Sequence, residues 1–204
     1  MDKATFRKSC LKMLKNSSHR SNYKIDKELQ IRVDKIIKEL KPNSILFYLP
    51  LNLEVDLTPL LKKYRKRLKI LIPKVEKESF KMVEYRLPLE KNNFNILERK
   101  NGSYAHKNVD LIIAPIIGID ANMQRVGFGK GMYDRFFDSL KRKPIVVFIQ
   151  RYPCVSRDEI CDKHDIYGDY FVTSKEKIVG RKNDRFVASR IRGCSGRGCR
   201  TIRK

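Results

Sequence analysis

The chain has 204 residues, of which 41% are hydrophobic and 34% are charged, and its formal net charge is +23. This hydrophobic fraction is too large for a disordered chain, and the length suits one domain with a real core. No apolar run reaches the roughly 20 residues of a spanning helix, and the N-terminus lacks the apolar centre of a signal peptide. We therefore expect a soluble, cytoplasmic protein without a membrane partner.

The cysteines and the net charge exclude fewer classes of function than the composition does. The five cysteines are an odd number and widely scattered, which does not predict a disulfide framework. Cys161 with His164, and Cys194 with Cys199, lack a second ligand pair at zinc spacing. The positive charge predicts attraction to nucleic acid, nucleotides or acidic small molecules, although a lysine-rich proteome with solvated helix faces explains it equally well.

Helix-like and strand-like segments alternate along the chain. Apolar residues at helical spacing predict helices over 27–40, 58–68 and 130–143. Short apolar or alternating runs predict strands over 44–50, 69–73, 80–87, 109–115, 144–150 and 169–174. This order predicts an α/β fold: a single three-layer domain with a largely parallel sheet flanked by helices.

A glycine-rich loop follows the predicted strand 109–115. Gly127, Gly129 and Gly131 occupy every second position, and Lys130 stands between the last two. Ligands of open α/β sheets bind beyond the carboxyl ends of the strands, and amides at a helix start favour anions. The loop matches neither the P-loop nor the G-x-G-x-x-G pattern, so its spacing alone leaves open both a phosphate site and a plain tight turn.

The last 25 residues differ from the rest in composition. Residues 180–204 contain nine Lys or Arg residues against one Asp, and they show no sustained helical or strand period. We predict a domain over 1–179 and a flexible basic tail over 180–204. Non-specific contact with nucleic acid is one interpretation of this tail, and a merely solvated extension is the other.

Residues 115–137 resemble the signature of the 5-formyltetrahydrofolate cyclo-ligases, also called methenyltetrahydrofolate synthetases. The positions that agree with the signature are Pro115, Gly118, Asp120, Arg125, Gly127, Gly129, Gly131, Tyr133 and Asp134. Four positions depart from it: Ile119 replaces Phe, Gln124 replaces Gly, Val126 replaces Leu and Met132 replaces Tyr. The last of these departures removes a ring from the site.

Four shorter segments resemble the same family in the same order, so that the resemblance covers about residues 1–179. Their matching residues are Lys3 and Arg7, then Glu54 and Asp56, then Glu98, and finally Asp165, Asp169 and Thr173. Leu57 stands where the family usually has Thr, and Arg99 where it has Pro.

The resemblance implies an ATP-dependent carbon–nitrogen ligase. Such an enzyme uses ATP and Mg²⁺ to close 5-formyltetrahydrofolate to 5,10-methenyltetrahydrofolate, releasing ADP and phosphate. The formyl oxygen is phosphorylated and N10 then attacks. Two alternatives stay open: a catalytically silent relative that binds folate or nucleotide, and a basic nucleic-acid-binding protein. The sequence also leaves open whether polyglutamylated folates are preferred and which oligomeric state the chain adopts.

The resemblance also implies the site residues. The ATP-binding set is Lys3, Arg7, Arg125, Gly127, Gly129, Lys130, Gly131, Met132 and Tyr133, within which Arg125, Lys130 and Tyr133 are the catalytic candidates. The folate-binding set is Leu49, Glu54, Met82 and Phe128, and the Mg²⁺ ligands are Asp134 and Asp165. Each of these residues also has an explanation without a ligand. For example, Lys3 and Arg7 could form a solvated helix face, and Leu49 and Met82 could belong to the core.

Overall fold

The computed structural model describes residues 1–17, 22–87, 89–91, 97–99, 104–175, 177–180 and 199–202. The helices of these residues are α1 (Lys3–Asn16), α2 (Asn22–Leu40), α3 (Thr58–Tyr64) and α4 (Met132–Asp138). The strands are β1 (Ser44–Leu46), β2 (Lys69–Glu76), β3 (Ser79–Glu84), β4 (Leu89–Lys91), β5 (Leu97–Arg99), β6 (Leu111–Pro115), β7 (Gly118–Ile119), β8 (Arg125–Val126), β9 (Ile145–Ile149), β10 (Tyr170–Val172), β11 (Lys177–Gly180) and β12 (Cys199–Ile202).

One sheet organises the described residues. Its strand order is β12-β11-β10-β9-β6-β1-β2-β3, and the five strands from β10 to β2 are all parallel. Antiparallel partners extend it at both sides. The predicted α/β fold with a largely parallel sheet is confirmed, and β4–β5 and β7–β8 form separate two-stranded ribbons.

Both faces of this sheet are covered by a hydrophobic core. Successive side chains of a strand point to opposite sides, so each strand contributes to both cores. In β1, Ile45 belongs to the core formed with α2 and α3, whereas Leu46 belongs to the core that includes Phe136 of α4. Strands β6 and β9 are apolar throughout for this reason, as is expected for parallel strands buried on both faces.

Helix α1 packs apart from the two main cores. Its buried residues Phe6, Cys10 and Leu14 contact Ile117 and Val126, which belong to the segment between β6 and the glycine loop. The side chain of Asp2 caps the helix by accepting from the amides at positions 4 and 5. This packing brings the N-terminal residues of the chain next to the carboxyl edge of the sheet.

A disulfide joins Cys10 of α1 to Cys154, with a Cα–Cα distance of 6.1 Å. The sequence did not predict this bond, because the two cysteines lie 144 positions apart and only the packing of α1 brings them together. Cys161 is a free, half-buried thiol near them, and burial raises its pKa. Cys194 lies outside the described residues.

Reduction of the disulfide is expected to destabilise the fold. A cross-link that closes a loop of this length contributes about 2–5 kcal/mol by restricting the unfolded chain. We expect added reductant to lower the thermal midpoint of the wild type, and Cys10→Ser to lower it without further response to reductant. Cys161→Ser is the control and should keep the reductant response. An unchanged midpoint in the reduced wild type would contradict the bond.

The C-terminal region is described only in part. Residues 199–202 form β12, which pairs antiparallel with β11, whereas 181–198, 203 and 204 lie outside the described residues. The prediction of a flexible basic tail over 180–204 falls mostly on those positions. Among the helices that are described, none combines the length and the apolar character needed to cross a membrane.

Candidate active site

A cavity of about 500 Å³ opens at the carboxyl ends of three neighbouring strands. Pro73 of β2, Leu49 beyond β1 and Pro115 at the end of β6 contribute to its wall. The chain proceeds from β1 to β2 on one side, and through β6, β9 and β10 on the other. The cavity therefore lies at the point where the strand order reverses, which is the usual ligand crevice of open α/β sheets.

The structure gathers all but one of the predicted site residues around this cavity. Those that line it are Lys3, Arg7, Leu49, Glu54, Arg125, Gly127, Phe128, Gly129, Lys130, Gly131, Met132, Tyr133, Asp134 and Asp165. Met82 of β3 does not. Its side chain is 1% exposed in the core that also contains Leu71 and Phe80. Met82 therefore fits the alternative explanation given above, that it is a core residue.

Arg125 places a buried guanidinium beside the cavity. Its Nε and Nη2 donate to the carbonyl of Pro115 at 3.3 and 3.0 Å, and its Cζ lies 4.6 Å from the centre of the Tyr133 ring. Burial lowers the pKa of Arg125, while the nearby Tyr133, Asp134 and Glu54 act in the opposite direction. No carboxylate of the described residues lies within 4.0 Å of it. A buried guanidinium without a carboxylate partner attracts an anionic ligand.

Gly127 has a steric reason to be glycine. A Cβ at this position would lie 2.2 Å from Nη1 of Arg125, so any side chain would collide with the guanidinium. The carbonyl of Gly127 also accepts from Nε of Arg7 at 2.7 Å, which joins α1 to the loop. Two arginines and the loop backbone thereby form one wall of the cavity.

The end of the glycine loop is shaped by backbone conformation. Gly131 precedes α4 in the left-handed region, with φ of 61°, which side chains rarely adopt. Arg135 then reaches back and donates to the carbonyls of Lys130 and Glu78. Lys130 itself is exposed at the lip of the cavity. The loop thus holds one exposed cation and one buried cation on the same side.

Lys3 lies against a carboxylate at the cavity wall. Its Nζ donates to Oδ2 of Asp165, which is buried, and to Oδ2 of Asp162 at 3.3 Å. Burial alone would lower the pKa of Lys3, but the hydrogen bond and charge of Asp165 raise it overall. Lys3 therefore stays protonated, and its position at the cavity is fixed.

Two carboxylates of the cavity were predicted to hold a cation. Oδ1 of Asp134 is buried and accepts no hydrogen bond from any described residue. Asp165 bonds through Oδ2 to Lys3 and to the amide of Asp162, and Asp162, His164 and Asp165 form a cluster whose ligand atoms lie within 4.8 Å of one another. Carboxylate oxygens are the ligands that Mg²⁺ prefers, so the donor set fits this ion. The orphaned oxygen of Asp134 is the stronger candidate, because the Lys3 ammonium already contacts the cluster.

Glu54 presents a third carboxylate to the cavity, and this side chain is buried. Its Oε2 accepts from the amide of Leu51 at 2.9 Å. Burial raises the pKa of Glu54, against the Leu51 hydrogen bond and the charges of Arg125 and Arg151. A buried acid with spare acceptor positions suits a ligand that offers N–H groups.

Six residues line the cavity that the sequence analysis did not single out: Tyr48, Leu51, Pro73, Val75, Phe80 and His164. Most of them are apolar, and the ring centres of Phe80 and Tyr133 lie 5.0 Å apart, edge to face. Tyr48 lies near the carboxyl end of the predicted strand 44–50, and this position is the signal that could have found it. Pro73 ends the predicted strand 69–73 and carried the same signal, whereas Val75 gave none, since it lies outside every predicted element.

The departures from the family signature have different surroundings. Gln124 is buried, and its Nε2 donates to the carbonyls of Asp162 and Asp165 at 2.7 and 3.3 Å, which holds the loop that carries Asp165. Leu57 is buried in the core next to the start of α3, where it makes no side-chain cap. Met132 lines the cavity. The side chain of Arg99, like that of Glu98, lies outside the described residues.

Comparison with known proteins gives the family. The model of the 5-formyltetrahydrofolate cyclo-ligase family matches residues 1–165. A 5-formyltetrahydrofolate cyclo-ligase of Mycoplasma pneumoniae is 25% identical over 79 residues, which is 39% of this chain and 48% of that protein. The aligned region thus spans about half the length of this curated relative.

The solved structures that resemble the chain include those of two 5,10-methenyltetrahydrofolate synthetases. The NMR structure of 5,10-methenyltetrahydrofolate synthetase from Aquifex aeolicus matches with a TM-score of 0.74 and 28% identity, over 87% of this chain and 92% of that one. A 5,10-methenyltetrahydrofolate synthetase from Mycoplasma pneumoniae matches with a TM-score of 0.68 and 20% identity, over 84% and 98%. The second likeness shows the fold alone.

The fold and the cavity together define an α/β protein with a glycine-rich loop beside a cavity at a strand-order reversal. Within that class, the chain belongs to the 5-formyltetrahydrofolate cyclo-ligase family. The prediction of this family is confirmed.

Proposed function

We propose that the chain converts 5-formyltetrahydrofolate to 5,10-methenyltetrahydrofolate, with ATP hydrolysed to ADP and phosphate in the presence of Mg²⁺. The γ-phosphoryl group passes to the formyl oxygen, which turns a poor leaving group into a good one. N10 then attacks the formyl carbon and loses its proton. The carbon–oxygen bond breaks, and phosphate leaves with the former formyl oxygen.

The observation that best supports this proposal is the presence, in one cavity, of a buried cation and of a buried carboxylate oxygen without a hydrogen bond. Arg125 is a buried cation without a carboxylate partner among the described residues, and Oδ1 of Asp134 is a buried acceptor without a donor. A phosphate chain with a divalent cation supplies both missing partners. Family membership makes ATP the natural source of that phosphate chain.

The triphosphate side of the proposed site consists of the cations and the loop. Arg125, Arg7 and Lys130 would contact phosphate oxygens, together with loop amides near Gly129 and Gly131. Lys3 would add a fourth positive charge from its position on Asp165. Such charges stabilise phosphoryl transfer because they lie in place before the reaction begins.

Asp134 would hold Mg²⁺, and Asp165 is the proposed second ligand. The Oδ2 of Asp165 already accepts from Lys3 and from the amide of Asp162, so its Oδ1 is the atom left for a cation. Bound Mg²⁺ neutralises charge on a triphosphate and orients it. Tyr133, whose pKa is raised by burial, would remain protonated and pack beside the reacting groups.

The folate side of the proposed site is the apolar wall with Glu54. Leu49, Leu51 and Phe128 would contact the faces of the pterin and the neighbouring ring, and the last two are 45% and 42% exposed in the structure. Glu54 would accept hydrogen bonds from pterin N–H groups. Removing this exposed apolar surface from water would contribute to folate affinity.

A direct assay tests the proposal. Purified protein with ATP, Mg²⁺ and 5-formyltetrahydrofolate should generate the absorbance of the methenyl product, with one phosphate released per product formed. Omission of ATP or Mg²⁺ should stop both signals. Folate and nucleotide binding without product would instead favour a catalytically silent relative, the alternative that the departures at Leu57, Arg99 and Met132 leave open. Binding of RNA alone, lost at high salt, would favour the nucleic-acid alternative.

Glu54→Gln is expected to raise the KM for folate about tenfold or more while leaving the KM for ATP within about twofold, since only the folate contact is removed. Folate binding by the wild type should strengthen as pH rises through the pKa of Glu54, because the ionised form is the better acceptor. Burial places that pKa above the ordinary 4.5, so the dependence should extend to higher pH than an exposed Glu allows.

The glutamine variant should lose this pH dependence, and steady-state kinetics over a pH series measures both effects. Glu84→Gln, which alters an exposed carboxylate paired with Arg86, is the control. A KM that rises for ATP alone would show that the two subsites are assigned the wrong way round.

A further inference from the structure

The segment from Leu51 to Asp56 forms part of the cavity wall without belonging to a helix or strand. Leu51 and Glu54 line the cavity. Because no regular hydrogen-bond ladder holds this segment, its position depends on contacts with the elements around it. Those contacts therefore decide where the Glu54 carboxylate lies.

A buried ion pair supplies two of these contacts. Nε and Nη2 of Arg151, just beyond β9, donate to the two carboxylate oxygens of Asp26 in α2 at 2.7 and 2.8 Å, and both side chains are 9% exposed. Nη2 of Arg151 also donates to the carbonyl of Glu54 at 2.5 Å. Oδ2 of Asp26 accepts from the amide of Asp56 at 3.1 Å. The pair thus binds the segment on both sides of Val55.

Arg151 and the segment have further anchors. The amide of Arg151 donates to the side chain of Gln150 at 2.8 Å, and its carbonyl accepts from the Ser174 hydroxyl at 2.8 Å. The Tyr48 hydroxyl donates to the carbonyl of Val55 at 2.6 Å. The guanidinium therefore projects from a fixed backbone at the end of β9 onto a segment that is held at successive residues.

The energetics of a buried ion pair favour a geometric role. Such pairs contribute little net stability relative to apolar residues of similar volume, because both charges are desolvated. The guanidinium has five donors in a planar fork, which allows it to serve a carboxylate and a carbonyl at once. A lysine is a compact point charge without this fork.

We propose that Asp26 and Arg151 are positioning residues, which fix the backbone of Glu54 and thereby set the affinity of the cavity for the folate. The proposal rests on the proposed function for the identity of the ligand. Neither residue lines the cavity, so their effect reaches the ligand through Glu54. The charge of Arg151 also favours the ionised form of Glu54.

Two variants test the pair. Arg151→Lys keeps the charge but loses the fork. The double variant Asp26→Leu with Arg151→Met replaces the pair by apolar side chains, which avoids leaving one buried charge alone. Asp34→Asn is the matched control, because it removes a carboxylate from the same helix that pairs with Lys38 and Lys63 away from the cavity.

The measurement is calorimetric binding of 5-formyltetrahydrofolate, and separately of ATP with Mg²⁺, to each folded variant and to the wild type. We expect the folate Kd to rise about tenfold in both pair variants, with the ATP Kd within about twofold of wild type. Asp34→Asn should bind both ligands normally.

An unchanged folate Kd in Arg151→Lys, or equal rises for folate and ATP, would overturn the positioning role. Binding is measured without turnover, so the two proposals can fail separately. A wild type that binds folate but forms no product would refute the proposed reaction and leave the positioning result standing. A wild type that binds no folate would overturn both.

Discussion

Asp134→Asn is expected to reduce Mg²⁺-dependent turnover by about 100-fold or more, because an amide oxygen lacks the charge that a hard cation requires. Thermal stability should be unchanged or slightly higher. Oδ1 of Asp134 is buried without a donor, so the folded chain loses no hydrogen bond when that oxygen becomes part of an amide. Turnover against Mg²⁺ concentration, together with Mg²⁺-dependent ATP binding, measures the effect.

Asp138→Asn provides the control for this variant. Asp138 lies one turn further along α4, is exposed and does not line the cavity. Its replacement should leave turnover within about twofold of wild type. If Asp134→Asn instead unfolded the chain while the remaining folded fraction kept full activity, Asp134 would be a structural residue and the proposed metal site would be wrong.

Arg125→Met is expected to lower turnover by about 100- to 1,000-fold, because it removes a buried positive charge that would stabilise the transferring phosphoryl group. The apolar replacement fills the space without desolvating a charge, so we expect a modest change in thermal stability. Lys130→Ala should cost less, about 10- to 100-fold, since its ammonium is exposed and better screened by water. Single-turnover kinetics at saturating ATP separates the chemical step from binding.

Two further variants make the Arg125 result specific. Gly127→Ala leaves the arginine in the chain but forces its guanidinium to move, because the new Cβ would lie 2.2 Å from Nη1. Gly127→Ala should therefore also lower turnover, as Arg125→Met does. Arg142→Met removes an exposed charge beyond α4 and should change nothing. Full activity in both Arg125→Met and Gly127→Ala would exclude Arg125 from the reaction.

The sheet could be predicted from the sequence because its strands are buried on both faces. Runs such as 109–115 and 144–150 are mostly apolar, and the strands Leu111–Pro115 and Ile145–Ile149 occupy their apolar parts. Element ends were predicted less well. The helix expected over 130–143 spans only Met132–Asp138, since Gly131 adopts a left-handed conformation before it and Ser139 caps its end.

Much of the candidate site could also be predicted, because it lies on one continuous stretch. Residues 125–134 carry the loop, the buried arginine and the orphaned carboxylate within ten positions. Lys3, Arg7 and Glu54 came only from resemblance to a family, since a basic pair on a helix and an acid before a helix are common. Met82 was placed in the site from the same kind of weak signal, and the structure puts it in the core.

By itself, the sequence determined the α/β class, the family and the glycine loop, because periodicity, composition and local motifs are properties of neighbouring residues. Tertiary structure alone decided which distant side chains meet. Cys10 bonds to Cys154, Lys3 pairs with Asp165, and Asp26 pairs with Arg151. Each of these contacts joins residues more than 100 positions apart, and no local pattern specifies them, because they arise only when α1 and α2 pack against segments that lie far along the chain.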